Sequence, residues 1–295
     1  MTLAADKNTN SSTVLVTGGT DGLGRATALL LASEGYRVFA GGRNPQRRAA
    51  LDAAAKERKL PLSTLEMDVA DDDSVNRAVS EIEQQAGPVE ILINNAGIAI
   101  AAVMEEIKLS DLRKQLETNY FGPLRVSQRV LPAMRERRRG RIINMSSVAG
   151  LLGNPILGAY ASSKHALEGM SDAMRLELMP FGIHVVLIEP GFIPTSMGST
   201  AIELSSEYVT GAQTSPYRAV YEGFQAGWRE RTANTKYVPE DCARVVLRAV
   251  RDTPPRPRYP VTSSAHVLRW MKRLVSDTAI DNMIAKRFGI TRPRN

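Results

Sequence analysis

Six short runs of aliphatic and β-branched residues punctuate the first two thirds of the chain: Thr13–Thr17, Arg37–Ala40, Ser63–Met67, Val89–Asn94, Arg141–Met145 and His184–Ile188. Most are apolar throughout instead of alternating with polar residues, the pattern of strands covered on both faces. Segments with helical spacing separate them. After Asp71-Asp72-Asp73, whose charges suit a helix start, Val75, Ala78, Val79 and Ile82 recur at turn intervals, and Ser110 is placed to cap a helix through Leu112 and Leu116. Pro257–Thr262 reads as a last strand. Alternation of this kind predicts an α/β fold: a doubly wound parallel sheet of about seven strands with helices on both faces.

A chain of 295 residues with 43% hydrophobic and 23% charged residues is long enough for one large α/β domain, expected here over residues 12–262. After Ile188 the character changes. Pro190, Gly191 and Pro194 break the chain, and residues 192–236 read as a polar, loop-like substrate lid after the sixth strand. Pro239-Glu240-Asp241 then opens a helix through Val245, Val246 and Ala249. Residues 263–295 form a C-terminal extension packed on the same domain, in which Leu268, Met271, Leu274 and Val275 mark an amphipathic helix carrying Arg269, Lys272 and Arg273. That helix suits either ordinary surface packing or contact with a membrane surface or partner.

The 38 basic residues against 31 acidic ones give a net charge of +7, which suits an anionic cofactor, nucleic acid or a membrane surface without choosing among them. The densest basic run, Arg135–Arg141, lacks interleaved aromatics and reads as a solvated loop or helix end, so no nucleic-acid partner is expected. Cys242 is the sole cysteine, which excludes an intrachain disulfide framework, and with His165, His184 and His266 unclustered no metal site is expected. Residues 1–12 are polar, and no stretch has the apolar length of a transmembrane segment. The chain therefore reads as cytoplasmic.

Where the first strand hands over to the first helix stands Thr17-Gly18-Gly19-Thr20-Asp21-Gly22-Leu23-Gly24. Glycines there permit a tight turn and let a pyrophosphate approach backbone N–H groups at a helix N-terminus. The end of the second strand discriminates between coenzymes, because an acidic side chain there binds a ribose 2′-OH and repels a 2′-phosphate. This chain has Gly41-Gly42-Arg43-Asn44 instead. Arg43, with Arg25 or Arg47 as possible assistants, offers a guanidinium to the phosphate, which predicts NADP(H). Asp68 and Val69, ending the third strand, are placed to meet an adenine, although Asp68 equally suits the cap of the next helix.

With Asn94-Asn95-Ala96-Gly97, Asn119, Ser146-Ser147 and Tyr160-Ala161-Ser162-Ser163-Lys164 in order and spacing, residues 13–195 resemble the short-chain dehydrogenase/reductase family, a Rossmann-type fold. Tyr160 and Lys164 share one helical face, which lets the Lys164 ammonium lie near the Tyr160 hydroxyl and the cofactor ribose, and a nearby cation favours the phenolate of a side chain whose ordinary pKa is about 10. The resemblance implies that Tyr160 exchanges a proton with an alcohol or carbonyl substrate beside the cofactor. It selects Ser147 as the group that binds the substrate oxygen, leaving Ser146 to local hydrogen bonding, and assigns Asn119 to a helix interruption holding a water linked to the lysine. Asn95, Ala96 and Gly97 are expected at the cofactor cleft, with Pro190, Gly191, Ile193 and Thr195 around the nicotinamide and phosphates.

Arg258-Tyr259-Pro260-Val261 and the basic helix after it resemble longer family members related to retinol and hydroxysteroid dehydrogenases. Met197, Ile202, Leu204, Tyr208, Tyr217, Tyr221, Phe224 and Trp228 suit an apolar pocket or the lid's own core. The function so implied is NADP(H)-linked interconversion of a lipophilic ketone or aldehyde with its alcohol. The alternatives are a catalytically silent NADP(H)-binding regulator and transient oxidation of a nucleotide sugar. Family members assemble as dimers or tetramers through the helices carrying Asn119 and Tyr160, which implies a homo-oligomer.

Overall fold

A computed structural model describes residues 12–290; residues 1–11 and 291–295, the polar start and the last part of the C-terminal extension, lie outside it. Strands β1 (Thr13–Thr17), β2 (Arg37–Gly42), β3 (Leu62–Glu66), β4 (Ile91–Asn94), β5 (Gly140–Met145), β6 (Ile183–Glu189) and β7 (Arg258–Pro260) form one sheet in the order β3-β2-β1-β4-β5-β6-β7. Every pair is parallel. The alternating helices are α1 (Gly22–Ser33), α2 (Pro45–Glu57), α3 (Asp72–Ala86), α4 (Leu109–Leu116), α5 (Gly122–Glu136) and α6 (Gly158–Leu178). Next come α7 (Ser196–Leu204), α8 (Ser206–Gly211), α9 (Arg218–Asn234), α10 (Pro239–Arg251), α11 (Ser263–Leu274) and α12 (Asp277–Arg287).

The apolar strands reflect burial on both faces. In β1, Val14 and Val16 enter the layer with α1, α2 and α10, whereas Leu15 enters the opposite layer with α3, α5 and α6. Leu31, Leu51 and Val246 anchor the first layer, and Val79, Ile82 and Met134 the second. Truncating any of the larger ones to alanine is expected to cost about 2–5 kcal/mol. A third cluster joins Ile98, Ile100, Ala102 and Ile156 to Tyr208, Ala212 and Tyr221 from the segment after β6.

Several expectations need correction. Residues 192–236, expected as a loop-like lid, are largely helical, as α7, α8 and α9, because they fold onto the third cluster; Tyr221 donates its hydroxyl proton to Glu106 at 2.8 Å and accepts from the Val103 N–H at 3.1 Å. Helix α4 begins at Leu109 with Lys108 before it, so Ser110 sits within its first turn and is not its cap. The extension contains a second helix, α12, and Leu274 of α11 points outward at 80% exposure. The basic run ends α5 as expected through Arg139, which pairs with Glu90, but Arg141 is not solvated: it lies in β5 and its part-buried guanidinium donates to the α10 carbonyls of Ala249 and Val250. No described helix is long and apolar enough to cross a membrane.

Candidate active site

A cleft of about 300 Å3 opens at the carboxyl ends of the strands, beside the β1/β4 junction where the strand order reverses. Its floor is the turn between β1 and α1. Gly18 and Gly22 adopt φ +60° and +51°, and a Cβ on Gly18 would stand 2.9 Å from the Ala96 Cα, so the turn is a backbone-lined cradle only glycine permits. Asp21 caps α1, its Oδ1 accepting from the Gly22 N–H at 2.7 Å, and its carboxylate pairs with Arg47 at 2.6 Å. The Asn95 amide donates to the carbonyls of Thr17 and Gly18, both at 3.0 Å.

Gly18, Thr20, Asp21, Gly22, Leu23, Asn95, Ala96 and Gly97 all line the cleft. Thr17 and Gly24 do not. Thr17 is buried, and its Oγ1 accepts from the N–H groups of Asn95 (3.0 Å) and Ala96 (3.1 Å), clasping the β1 and β4 ends together. Gly24 is buried behind the turn, where a Cβ would strike the Gly18 carbonyl and the Asn95 amide. Both support the cradle from beneath.

At the β2 edge a Cβ on Gly42 would run into the Thr20 side chain, so position 42 has no room for an acidic residue. Arg43, 67% exposed, stands 3.5 Å from the Asp68 carboxylate, and Arg43, Asn44 and Arg47 line the cleft there. Arg25 is not among the lining residues. Asp68 accepts from the Ala70 N–H at 3.0 Å and lines the cleft with Val69, while Asp71 caps α3 by accepting from the Ser74 N–H at 2.5 Å. Asp68 is therefore not the helix cap.

The far end of the cleft gathers Ser147, Tyr160 and Lys164 with Pro190, Gly191, Ile193 and Thr195. Ser147 follows β5, accepts from the Ala149 N–H at 3.1 Å and lines the cleft with Tyr160. Tyr160 and Lys164 share one face of α6. Lys164 is 5% exposed, and its ammonium donates to the Met145 carbonyl at 2.7 Å and lies 5.7 Å from the Tyr160 ring centre. Burial pushes Tyr160 above its ordinary pKa, with Ser147 acting in the opposite sense. Burial pushes Lys164 down to about 8, against the charge of Glu168 one helical turn on.

Ser146 lacks its expected local bond: its Oγ is buried beside Gly150 with no partner among the described residues. Asn119 stands outside the cleft lining, in the π-helical turn Glu117–Phe121 between α4 and α5. Fully buried, it accepts from the Ile98 N–H at 2.9 Å and donates to the Ile98 carbonyl at 2.9 Å and the Ser163 hydroxyl at 3.0 Å. Its side-chain contacts run to the β4–α4 connection and α6, not to Lys164. Gly42, Met67, Thr118, Ser196 and Thr200 join the lining without having been anticipated. Of the eight lid residues expected at an apolar pocket, Met197 lines the cleft, whereas Tyr208 and Tyr221 belong to the third cluster, Phe224 and Trp228 pack together, and Ile202 is 63% exposed.

The residues fit a dinucleotide: a side-chain-free cradle at a helix N-terminus, two arginines on one rim and hydroxyls at the opposite end. The sequence pattern described as short chain dehydrogenase matches residues 12–204. An uncharacterized oxidoreductase of Bacillus subtilis, YusZ, is 33% identical over 281 residues, covering 94% of this chain and 99% of its own. Retinol dehydrogenase 8 of Bos taurus is 32% identical, covering 82% and 79%. Among solved structures, an actinorhodin polyketide ketoreductase variant with NADPH superposes with a TM-score of 0.74 at 28% identity, covering 87% of this chain and 97% of the ketoreductase. The chain belongs to the short-chain dehydrogenase/reductase family of oxidoreductases, and resembles its retinol dehydrogenase-like members.

Proposed function

We propose that the protein is an NADP(H)-dependent reductase or dehydrogenase that interconverts a lipophilic ketone or aldehyde and its alcohol. The observation that carries this reading is the convergence of Ser147, Tyr160 and Lys164 on one end of a dinucleotide-shaped cleft. The cradle from Gly18 to Leu23 holds the pyrophosphate, Asp68 and Val69 the adenine, and Arg43 the 2′-phosphate. Asn95, Ala96, Gly97, Pro190, Gly191, Ile193 and Thr195 hold the remaining groups. When bound, the nicotinamide supplies or accepts hydride.

The chain's own residues handle the proton. Burial keeps Tyr160 protonated at neutral pH, the form needed to donate to the oxygen of a carbonyl undergoing reduction. Ser147 donates a second hydrogen bond to that oxygen as charge develops on it. In the oxidative direction a protonated Lys164, its ammonium 5.7 Å from the Tyr160 ring centre, favours the phenolate. Asn119 is a positioning residue: it ties the connection after Gly97 to Ser163 on the Tyr160 helix.

Met197 in the cleft lining, and the likeness to retinol dehydrogenase 8, support a lipophilic substrate. Exposed Leu109 at the start of α4 and Phe121 in the turn carrying Asn119, with Leu176 and Met179 at the end of α6, support self-association along these helices. The test is a panel of lipophilic ketones, aldehydes and alcohols assayed by nicotinamide absorbance with NADPH or NADP+. NADPH binding without turnover across the panel would favour the silent regulator instead.

A further inference from the structure

Beneath the end of the cleft that carries Lys164 lies a buried cluster of charges that the proton chemistry leaves unused. Lys164 is almost wholly buried, yet its ammonium donates to a neutral group, the Met145 carbonyl. A buried cation held only by a neutral dipole is costly unless a negative charge stands nearby. Four residues on, Glu168 shares its helical face and is equally buried. The Lys164 carbonyl oxygen, the Glu168 Cγ and the Ser146 Oγ all crowd Gly150, where a Cβ would stand 3.2, 3.0 and 2.7 Å from them. Arg258 fixes the carboxylate from β7: its Nε donates to Glu168 Oε2 at 3.0 Å and its other arm to Asp172 at 2.7 Å. The second carboxylate oxygen, Glu168 Oε1, is buried and takes no hydrogen bond from any described residue, so its charge acts through space.

The other acids of the cluster are already occupied. Asp172 also pairs with Arg175 at 2.6 Å, and Glu189, fully buried at the end of β6, faces Arg258 and Arg269, each at 3.3 Å. Burial and the adjacent Glu168 push the Glu189 carboxyl above the usual carboxylate range, so it brings the least negative charge. We propose that Glu168, braced by Arg258, is a positioning residue that supplies the counter-charge for the Lys164 ammonium and so keeps it charged beside Tyr160. Through Arg258, β7 takes part in the site without lining the cleft. Burial drives Lys164 toward the neutral amine and Glu168 opposes it, leaving a pKa of about 8. So close to neutrality, the loss of one negative charge changes how much of the lysine is ionised. The inference rests on the reading of Lys164 as the cation that favours the Tyr160 phenolate, but its first test needs neither coenzyme nor substrate.

That test is an NMR titration of the full chain carrying isotope-labelled lysine, the Lys164 signal being the one lost in Lys164→Met. Glu168→Gln, which keeps the size of the side chain and an acceptor for Arg258, should move the Lys164 midpoint down from about 8 by roughly one pH unit. Glu189→Gln should leave it in place. Arg258→Gln strips the carboxylate of its guanidinium and should move the midpoint up, an opposite-signed reading that decides the matter where Glu168→Gln does not fold. In a second arm, oxidation of an alcohol from the panel by Glu168→Gln should be about fivefold slower than wild type at pH 8, where the ionised share of Lys164 drops from about half to about a tenth, and should recover toward pH 6. An unmoved or raised midpoint in Glu168→Gln, an equal fall in Glu189→Gln, or a fall in Arg258→Gln would each overturn the proposal. The expected titration with no pH-dependent change in rate would instead count against the reading of Lys164 and Tyr160, leaving the counter-charge in place.

Discussion

Replacing Arg43 with alanine should separate the two coenzymes. The side chain is 67% exposed and its partner in the structure, Asp68, lies 3.5 Å away with 35% of its side chain in water. Such a surface pair contributes at most about 1 kcal/mol, so the variant should unfold within a few degrees of the wild type. A charge-assisted hydrogen bond from the guanidinium to a 2′-phosphate is worth about 1.5–3 kcal/mol, or roughly 10- to 150-fold in affinity. Arg47 lines the same rim but is paired with the Asp21 carboxylate at 2.6 Å, so it replaces Arg43 only by giving up that partner. Arg43→Ala should therefore weaken NADPH by that factor while leaving NADH nearly unchanged, as read from dissociation constants for both reduced coenzymes by fluorescence titration. Equal weakening of both would mean that Arg43 merely shapes the turn after β2, and no change in either would remove it from the cofactor site.

Two further outcomes follow from buried groups. Asn119→Ala leaves the N–H and carbonyl of Ile98, itself 7% exposed, without their partners. At about 1–3 kcal/mol for each of the two unsatisfied groups the loss should be roughly 2–6 kcal/mol in urea denaturation, and a loss under about 0.5 kcal/mol would contradict the clasp. Lys164 carries a pKa lowered from 10.5 to about 8, so between these values the unfolded chain binds more protons than the folded one and stability rises with pH. The penalty is fully present below pH 8, approaches roughly 3 kcal/mol there and fades toward pH 10.5. Lys164→Met should abolish this dependence, so the stability of wild type relative to the variant should climb between about pH 8 and 10; a flat difference would refute the assigned burial.

The sheet was legible because its strands are buried on both faces, which leaves unbroken aliphatic runs such as Val14-Leu15-Val16. The cradle was legible because glycines at a strand-to-helix junction have few other uses. Helices α7–α9 escaped because their buried positions are aromatic residues with polar tips: Tyr208 and Tyr221 serve at once as core and as hydrogen-bond partners of distant backbone, so their spacing does not read as an apolar face. Asn119 was legible as an unusual residue but not as a clasp, because Ile98 and Ser163 reach it only through tertiary folding. The separate positions of Thr17 and Gly24 beneath the cradle were hidden for the same reason. Sequence order places them in the turn, and only the approach of Asn95 shows which side of it they occupy. Asp68 lost its capping role to Asp71, three residues on, a distinction local composition does not make.

The central claim is that Tyr160 moves the proton. Tyr160→Phe removes one hydroxyl from a cleft whose cradle, arginine rim and Lys164 remain, so NADPH should bind with nearly the wild-type dissociation constant. Single-turnover reduction of a substrate identified in the panel should then fall by about 10²- to 10⁴-fold, the range general acid catalysis contributes. Turnover within a few-fold of wild type, with NADPH binding intact, would contradict the account.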